Sequence, residues 1–596
     1  MWIACFVLSI GWLILSAALS FAINSSKLVK KHKFNLFNGL FASVFIAVLF
    51  VFYPVHSAAA EPAFSGGWRA FLLSVFNAMQ VFTIGCDFEI IADSMVHCPD
   101  RLICAYQIWA AALFVIAPIF TFGFVLSLFK DISAYLKYLA SYFKDAYIFS
   151  ELNHKSLALA SDIKDKHKEA LIVFTGISEG DEEDKYALAE DAKMLGAICF
   201  KKDILAVDFK KHFAGKALSF FAIGANETEN LNQSLKLIEH YKTRVGTNLY
   251  VFSKKVDSQL LLTAVDKGQI KVRRINEVRS LVNRVLYDRG QTIFQSAKAL
   301  PDGMKHISAV VVGMGNHGVE MVKALAWFCQ MDGYSVEINA FDKDPLAQEK
   351  FTALAPELMS PVYNGANVPG EVQYKITVHS GVDVETASFA GEIQKLHNAT
   401  YVLVALGSDD ININTAVNLR MYFERLKIHP VIQAIVYNSE QKKALCGIKN
   451  YAGQAYDIEF IGDTESSYTE AVIIDSELEE DALNRHLKWG NEDAFWTYEY
   501  NYRSSMASAI HMKARIACGV PGAEKKEDEL TDEERNIIEV LEHRRWNAYM
   551  RAEGYVFSGS KDPSSRNDLA KMHHNLVDFS SLTEEEKRKD SKVGTN

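Results

Sequence analysis

The 596-residue chain carries a net charge of −10, which excludes a general affinity for nucleic acid. Hydrophobic residues make up 49% of it while the mean hydropathy is zero, so a very apolar region must be joined to an ordinary soluble one. The eight cysteines (5, 86, 98, 104, 199, 329, 446 and 518) are scattered without metal-ligand spacing, so neither a metal site nor a disulfide framework is expected.

The apolar part comes first. Residues 1–26, 34–60 and 102–129 contain no Asp, Glu, Lys or Arg, and each run exceeds the roughly 20 residues that cross a bilayer. The first run has no preceding positive charge and is too long for a signal-peptide core, so it reads as an anchor helix. Lys27, Lys30, Lys31 and Lys33 put the loop after it in the cytoplasm, and 58–67 then lies outside. The run 102–129 returns inward and is followed by Lys130, Lys137 and Lys144. Parity leaves 68–100 with both ends outside. That stretch, with its 17-residue apolar core 70–86, reads as a re-entrant segment or a helix lying at the outer interface. The expected membrane region is thus 1–132, with three spans and a pore-like segment at 68–96.

The re-entrant stretch ends Thr83-Ile84-Gly85-Cys86-Asp87 and resembles the pore helix and filter of a potassium channel, without its second glycine and aromatic residue. The resemblance makes Thr83 and Gly85 filter positions for an inorganic cation. Asp87 and Glu89 are expected to form an acidic ring in an oligomer. Pro118 and Gly123 mark a packing kink or a gate hinge in the last span.

Residues 133–167 read as a helical connector. Strand and helix patterns then alternate, as in a parallel sheet covered by helices, at 168–300 and again at 305–475. Strands are expected at 170–175, 197–200, 218–223, 248–252 and 270–274. The second series has them from 307 and at 335–341, 400–406, 431–437 and 458–461. Matching phrases after corresponding strands, Phe-Phe-Ala-Ile-Gly-Ala-Asn and Leu-Val-Ala-Leu-Gly-Ser-Asp, indicate a duplication of about 140 residues per copy. The fold class is therefore α/β, with N-terminal transmembrane helices, tandem Rossmann-like doubly wound parallel sheets and a small helical C-terminal domain.

Gly313-x-Gly315-x-x-Gly318 follows a strand and opens a helix, the arrangement that lets a backbone approach a pyrophosphate. Asp342 ends the next strand, where a ribose acceptor is expected. Gly407 and Asp409 complete the expected cofactor site, for an adenine nucleotide or an NAD-like ligand. The first half has Gly176 and Gly180 at the corresponding place, interrupted by Ser178 and Glu179, and is expected to be structural or to bind something else. The acidic run 181–184 reads as solvated surface.

The phrases Val-Val-Val-Gly-Met-Gly-Asn-His-Gly and Ala-Leu-Gly-Ser-Asp-Asp resemble the TrkA-N type domain, the regulator of potassium conductance (RCK). That resemblance covers about 130–475 and implies a ligand-driven gating ring and a homotetramer. Residues 476–530 read as a helical linker. In 531–596, His543-x-x-Trp546, Gly554-Tyr555 and Asn-Leu-Val-Asp-Phe resemble the small repeat domain of the ryanodine receptor. Such domains accompany TrkA-N domains in bacterial sensors and are proposed to recognise nucleotide-derived signals in antiviral defence. His543, Arg545, Trp546 and Tyr555 form either a second ligand site or the core of that small domain.

No hydride-transfer or other catalytic constellation is legible, so the chain is not expected to be an enzyme. The expectation is a multi-pass protein of the bacterial inner membrane, with cytoplasmic C-terminal domains and membrane lipid around its helices. It would be a nucleotide-regulated ion channel or channel-like pore. A non-selective membrane-permeabilising defence effector and a tethered nucleotide sensor without a pore are the alternatives.

Overall fold

The computed structural model describes residues 1–25, 36–58, 64–128, 130–177, 183–359 and 373–595. The lysines at 27, 30, 31 and 33, Ser178, Glu179, Gly180 and residues 59–63 of the 58–67 linker lie outside the described residues, as do Asp181 and Glu182 of the acidic run. The chain divides into two compact units, Met1–Leu139 and Ala140–Asn596.

The first unit is helical: Trp2–Ser25, Leu36–Ala58, Phe64–Phe82, Glu89–Ser94 and Asp100–Leu128. Val44, Val48, Phe52, Tyr106 and Leu113 form its core. Several polar groups bridge the helices. Trp109 Nε1–H donates to Ser9 Oγ (2.9 Å), which donates to Ala47 O (2.8 Å), and Tyr106 O–H donates to Val51 O (2.6 Å). Two helices, at Phe41–Ala58 and Asp100–Phe122, are long and apolar enough to cross a membrane, whereas the apolar stretch Trp2–Ala18 is shorter. The last helix runs through Pro118 and Gly123 without a break.

The second unit contains two large, mainly parallel sheets, beside a two-stranded one formed by Val556–Phe557 and Met572–His573. The first consists of β1 Ala146–Phe149, β2 Leu171–Phe174, β3 Ile198–Cys199, β4 Leu218–Ala222, β5 Thr247–Phe252 and β6 Lys271–Ile275, in spatial order β3-β2-β1-β4-β5-β6. After the short β7 (Lys298–Ala299), which pairs antiparallel with β8, the second consists of β8 Lys305–Val312, β9 Tyr334–Asp342, β10 Tyr374–Ser380, β11 Tyr401–Val404, β12 Val431–Ile435 and β13 Ile458–Ile461. Its order, β10-β9-β8-β11-β12-β13, repeats that of the first sheet. This is the doubly wound Rossmann-like arrangement, whose ligands bind where the strand order reverses.

Two strands depart from the expected pattern. β1 lies within the stretch read as a helical connector. It is only four residues long, and hydrogen bonding to both β2 and β4, rather than local pattern, makes it a strand. The first half therefore begins before residue 168, and Gly176 follows the second strand, not the first. The counterpart of the glycine fingerprint is Ser150-Glu151-Leu152-Asn153, which has no glycine. The other addition is β10, whose alternation Tyr-Lys-Ile-Thr-Val-His-Ser suits an edge strand with one face buried.

The duplication is visible as a repeated hydrogen-bond clasp. Asn230 accepts from Gly224 N–H (2.8 Å) and donates to Phe252 O (2.9 Å). Asn412 accepts from Leu406 N–H (2.6 Å) and donates to Ile435 O (2.8 Å). Each clasp ties the exit of one strand to the end of its neighbour, at 1% exposure. The clasps align Gly224 with Leu406, one residue away from the glycine-on-glycine match that the sequence suggests.

The C-terminal stretch has a small apolar cluster of its own, Val577 and Leu582 with Phe557 and Phe579, but its main helix packs elsewhere. Ile538, Tyr549 and Met550 of the helix Asp532–Ala552 share one apolar cluster with Leu325, Trp327 and Phe328 of the helix Asn316–Phe328. Partly buried ion pairs reinforce that contact. Arg279 Nη1 reaches Glu553 (2.8 Å), Arg279 Nε reaches Glu320 (2.8 Å), and Arg503 Nη1 reaches Glu553 (3.2 Å). Burial alone would push the Glu553 carboxyl up, but Arg279 and Arg503 outweigh it and hold the group well below the usual carboxylate range.

The clasp predicts a stability change. Asn412→Leu leaves a buried N–H and a buried carbonyl without partners, each costing about 1–3 kcal/mol. The full-length variant should melt several degrees below the parent protein, and Asn230→Leu should do the same through the other sheet; an unchanged melting curve for both would show the clasps to be dispensable.

Candidate functional site

The second half carries the glycine turn. Gly313 adopts φ +97°, and a Cβ there would lie 2.4 Å from Ala405 O. A Cβ on Gly318 would lie 1.7 Å from Gly313 O, so the helix can start this close to β8 only with glycine at 318. Gly315 is exposed with nothing within 4 Å of a Cβ, and the helix Asn316–Phe328 begins after it without a side-chain cap. The first amide groups of that helix therefore face open space at the reversal of strand order, the geometry that receives a phosphate.

Asp342 ends β9 as expected. Its carboxylate already accepts from Met314 N–H (2.6 Å) and Asp344 N–H (2.8 Å), so it holds the glycine turn in shape and keeps lone pairs for a hydroxyl. Gly407 has φ +84° and turns the chain out of β11. Asp409 stands differently from the expectation: its carboxylate accepts from Tyr437 N–H (3.0 Å) and Asn438 N–H (2.9 Å). It braces neighbouring strand exits. Glu227 does the same in the first half, accepting from Lys254 N–H (2.9 Å).

Sequence reading did not single out His317, which lies inside the fingerprint. Its Nδ1 is 3.4 Å from the Tyr437 hydroxyl. Burial, with the charge of Lys254 adding to it, lowers its pKa to about 4, so the ring is neutral at pH 7. Its place between the second and third fingerprint glycines was the available signal.

The C-terminal candidates are interior. His543 Nε2 lies 2.9 Å from Val577 O and its Nδ1 3.3 Å from Asp590. Arg545, 1% exposed, donates from Nη2 to Glu542 (2.6 Å), which also receives Arg515. Trp546 packs edge-on against His573, with ring centres 4.9 Å apart, and Tyr555 is buried. These four side chains build the module's core. Of the two readings, these contacts favour the core: His543, Arg545 and Tyr555 are buried, and Trp546 is half-buried.

In the first unit, the Thr83–Gly85 segment is a helix cap rather than an extended row of carbonyls. Gly85 N–H donates to Gln80 O (2.8 Å), Ile84 N–H donates to Val81 O (3.3 Å), and Ile84 has φ +59°. Asp87 and Glu89 beyond it are both exposed, and Asp87 accepts from Glu89 N–H (3.0 Å).

No protein-family model matches this chain, and no curated protein matches it.

His317 gives the site a pH signature. With a folded pKa of about 4 against 6.5 for a free imidazole, its contribution to stability is full above pH 6.5 and is lost as pH falls toward 4. A phosphate at the adjoining turn favours the protonated ring, so binding takes up a proton. Nucleotide affinity should rise several-fold between pH 7 and pH 5.5 in calorimetric titrations, and His317→Gln should flatten that rise. Gly315→Asp, which clashes with nothing in the protein, should abolish nucleotide binding without lowering the melting temperature; retained binding would place the nucleotide elsewhere.

Proposed function

We propose that this chain is a nucleotide-regulated membrane channel or channel-like pore of the bacterial inner membrane, without enzymatic activity of its own. The observation that carries the reading is the open glycine turn at Gly313–Gly318. It stands ready for a phosphate in a chain that also holds two membrane-length apolar helices. The resemblance of the duplicated Rossmann-like halves to RCK domains supports a homotetramer in which ligand binding biases a gate. The ligand can shift that gate only by the difference in its affinity for the open and closed states. Asp87 and Glu89 would supply the acidic ring that draws cations. The third span, the re-entrant segment and the cytoplasmic side of the Rossmann-like halves belong to the same proposal. Resemblance to the ryanodine receptor repeat supports a sensory role for 531–596, exerted through its shared core with the fingerprint helix.

A second reading, a tethered receptor without a conduit, is favoured by the capped turn at Thr83–Gly85, which forms no carbonyl row. Conductance separates the two. Liposomes containing the purified chain should release potassium or sodium at least tenfold faster with ADP, ATP or NAD present, and Gly315→Asp should remove the response. Asp87→Asn with Glu89→Gln should lower cation flux while leaving nucleotide affinity unchanged. Nucleotide binding without any flux would leave the tethered receptor standing.

A further inference from the structure

The half without the fingerprint has a cavity at its own reversal of strand order. It encloses about 310 Å³ at the ends of β1, β2 and β4, within the size range of small-molecule sites. Its chemistry is opposite to that of the glycine turn. The helix after β1, His154–Lys166, is capped by Asn153, whose side chain accepts from Ser156 N–H (2.9 Å), so the third of its amides is already partnered. Glu151 occupies the fingerprint position, and its Oε2 accepts from Ala225 N–H (3.0 Å). Gly224 preserves that arrangement, since a Cβ there would lie 2.8 Å from the same carboxylate oxygen. A phosphate at this place would meet the Glu151 carboxylate, which has no counterpart in the glycine turn, while Lys185 also lines the cavity.

The wall is rich in acceptors. Asp203 receives Gln233 Nε2–H (2.6 Å), and Gln233 is 6% exposed with its Oε1 lacking any hydrogen-bond partner. A buried acceptor in that state costs free energy until a donor reaches it. Leu152, Ile177 and Leu188 add apolar surface. A metal ion is a poor occupant, because among the described residues no group of three His, Cys, Asp or Glu side chains could hold one.

From this combination we infer that the first Rossmann-like half binds a nucleoside without a phosphate. Its ribose hydroxyls would donate to the Glu151, Asp203 and Gln233 acceptors, and its base would lie on the apolar wall. Carboxylate recognition of ribose hydroxyls is the usual role of an acid at a Rossmann sheet edge. Here the acids stand where a pyrophosphate would otherwise sit. The inference does not depend on a pore.

The test uses the full chain carrying Gly315→Asp, so that the glycine turn contributes no binding. Adenosine, guanosine, cytidine and uridine are titrated calorimetrically alongside their 5′-monophosphates. At least one nucleoside should bind, at least tenfold more tightly than its monophosphate. Gln233→Leu, close in volume, should weaken it at least tenfold. Glu151→Gln keeps an acceptor for Ala225 but loses the charge, so it should narrow the preference for nucleoside over monophosphate, which a purely structural role would not do. Absence of nucleoside binding, equal or tighter binding of the monophosphate, or unchanged affinity in Gln233→Leu with unchanged melting would each overturn the inference. Nucleotide-dependent conductance surviving such a result would leave the proposed function intact.

Discussion

Much of the second unit is organised around one carboxylate. Glu553, at the end of the helix Asp532–Ala552, receives Arg279 from the first half and Arg503 from the helix Glu499–Ala517, while Arg279 also reaches Glu320 on the fingerprint helix. Removing one member of such a buried cluster leaves an uncompensated charge, which costs far more than the pair itself contributes. The cluster therefore fixes position more than it adds stability. Whatever shifts the fingerprint helix must move against residues from the other half and from the C-terminal module together.

That linkage gives the duplication its meaning. The two sheets share a strand order and an asparagine clasp, yet their binding edges have diverged in charge. One edge offers unpartnered backbone amides at Gly315, while the other offers Glu151, Asp203 and an orphaned amide oxygen on Gln233. A repeated scaffold with opposite edges can report on two ligands, and the ion cluster at Glu553 offers a physical connection through which one half can influence the other.

The sequence disclosed those features that depend on local pattern. Glycines 313, 315 and 318 stand as their spacing requires: Gly313 and Gly318 answer steric demands from Ala405 O and Gly313 O, while Gly315 keeps the turn open. Most strands were legible as apolar runs. β1 was not, since its four residues take strand form only through hydrogen bonds to segments far along the chain. β10 was passed over because its alternation is that of a half-covered edge. Asp409 reads as a ligand contact in sequence, and its bracing of Tyr437 and Asn438 is visible only in space. His543 and Arg545 look like solvent-facing charges on a helix, and only the partners Asp590 and Glu542 reveal them as interior. The crevice of the first half left no motif, because its acceptors come from Glu151, Asp203 and Gln233, which no short pattern connects.

The shared apolar cluster of Trp327, Phe328, Tyr549 and Met550 also bears on how the chain is made. During synthesis the fingerprint helix leaves the ribosome with one face uncovered, and its covering residues lie roughly two hundred positions further on. At about 5–20 residues per second that interval is on the order of ten seconds or more. For that time the nascent second half exposes a tryptophan and a phenylalanine. The order of translation thus makes the final segment the step that gives the glycine-turn edge its finished packing.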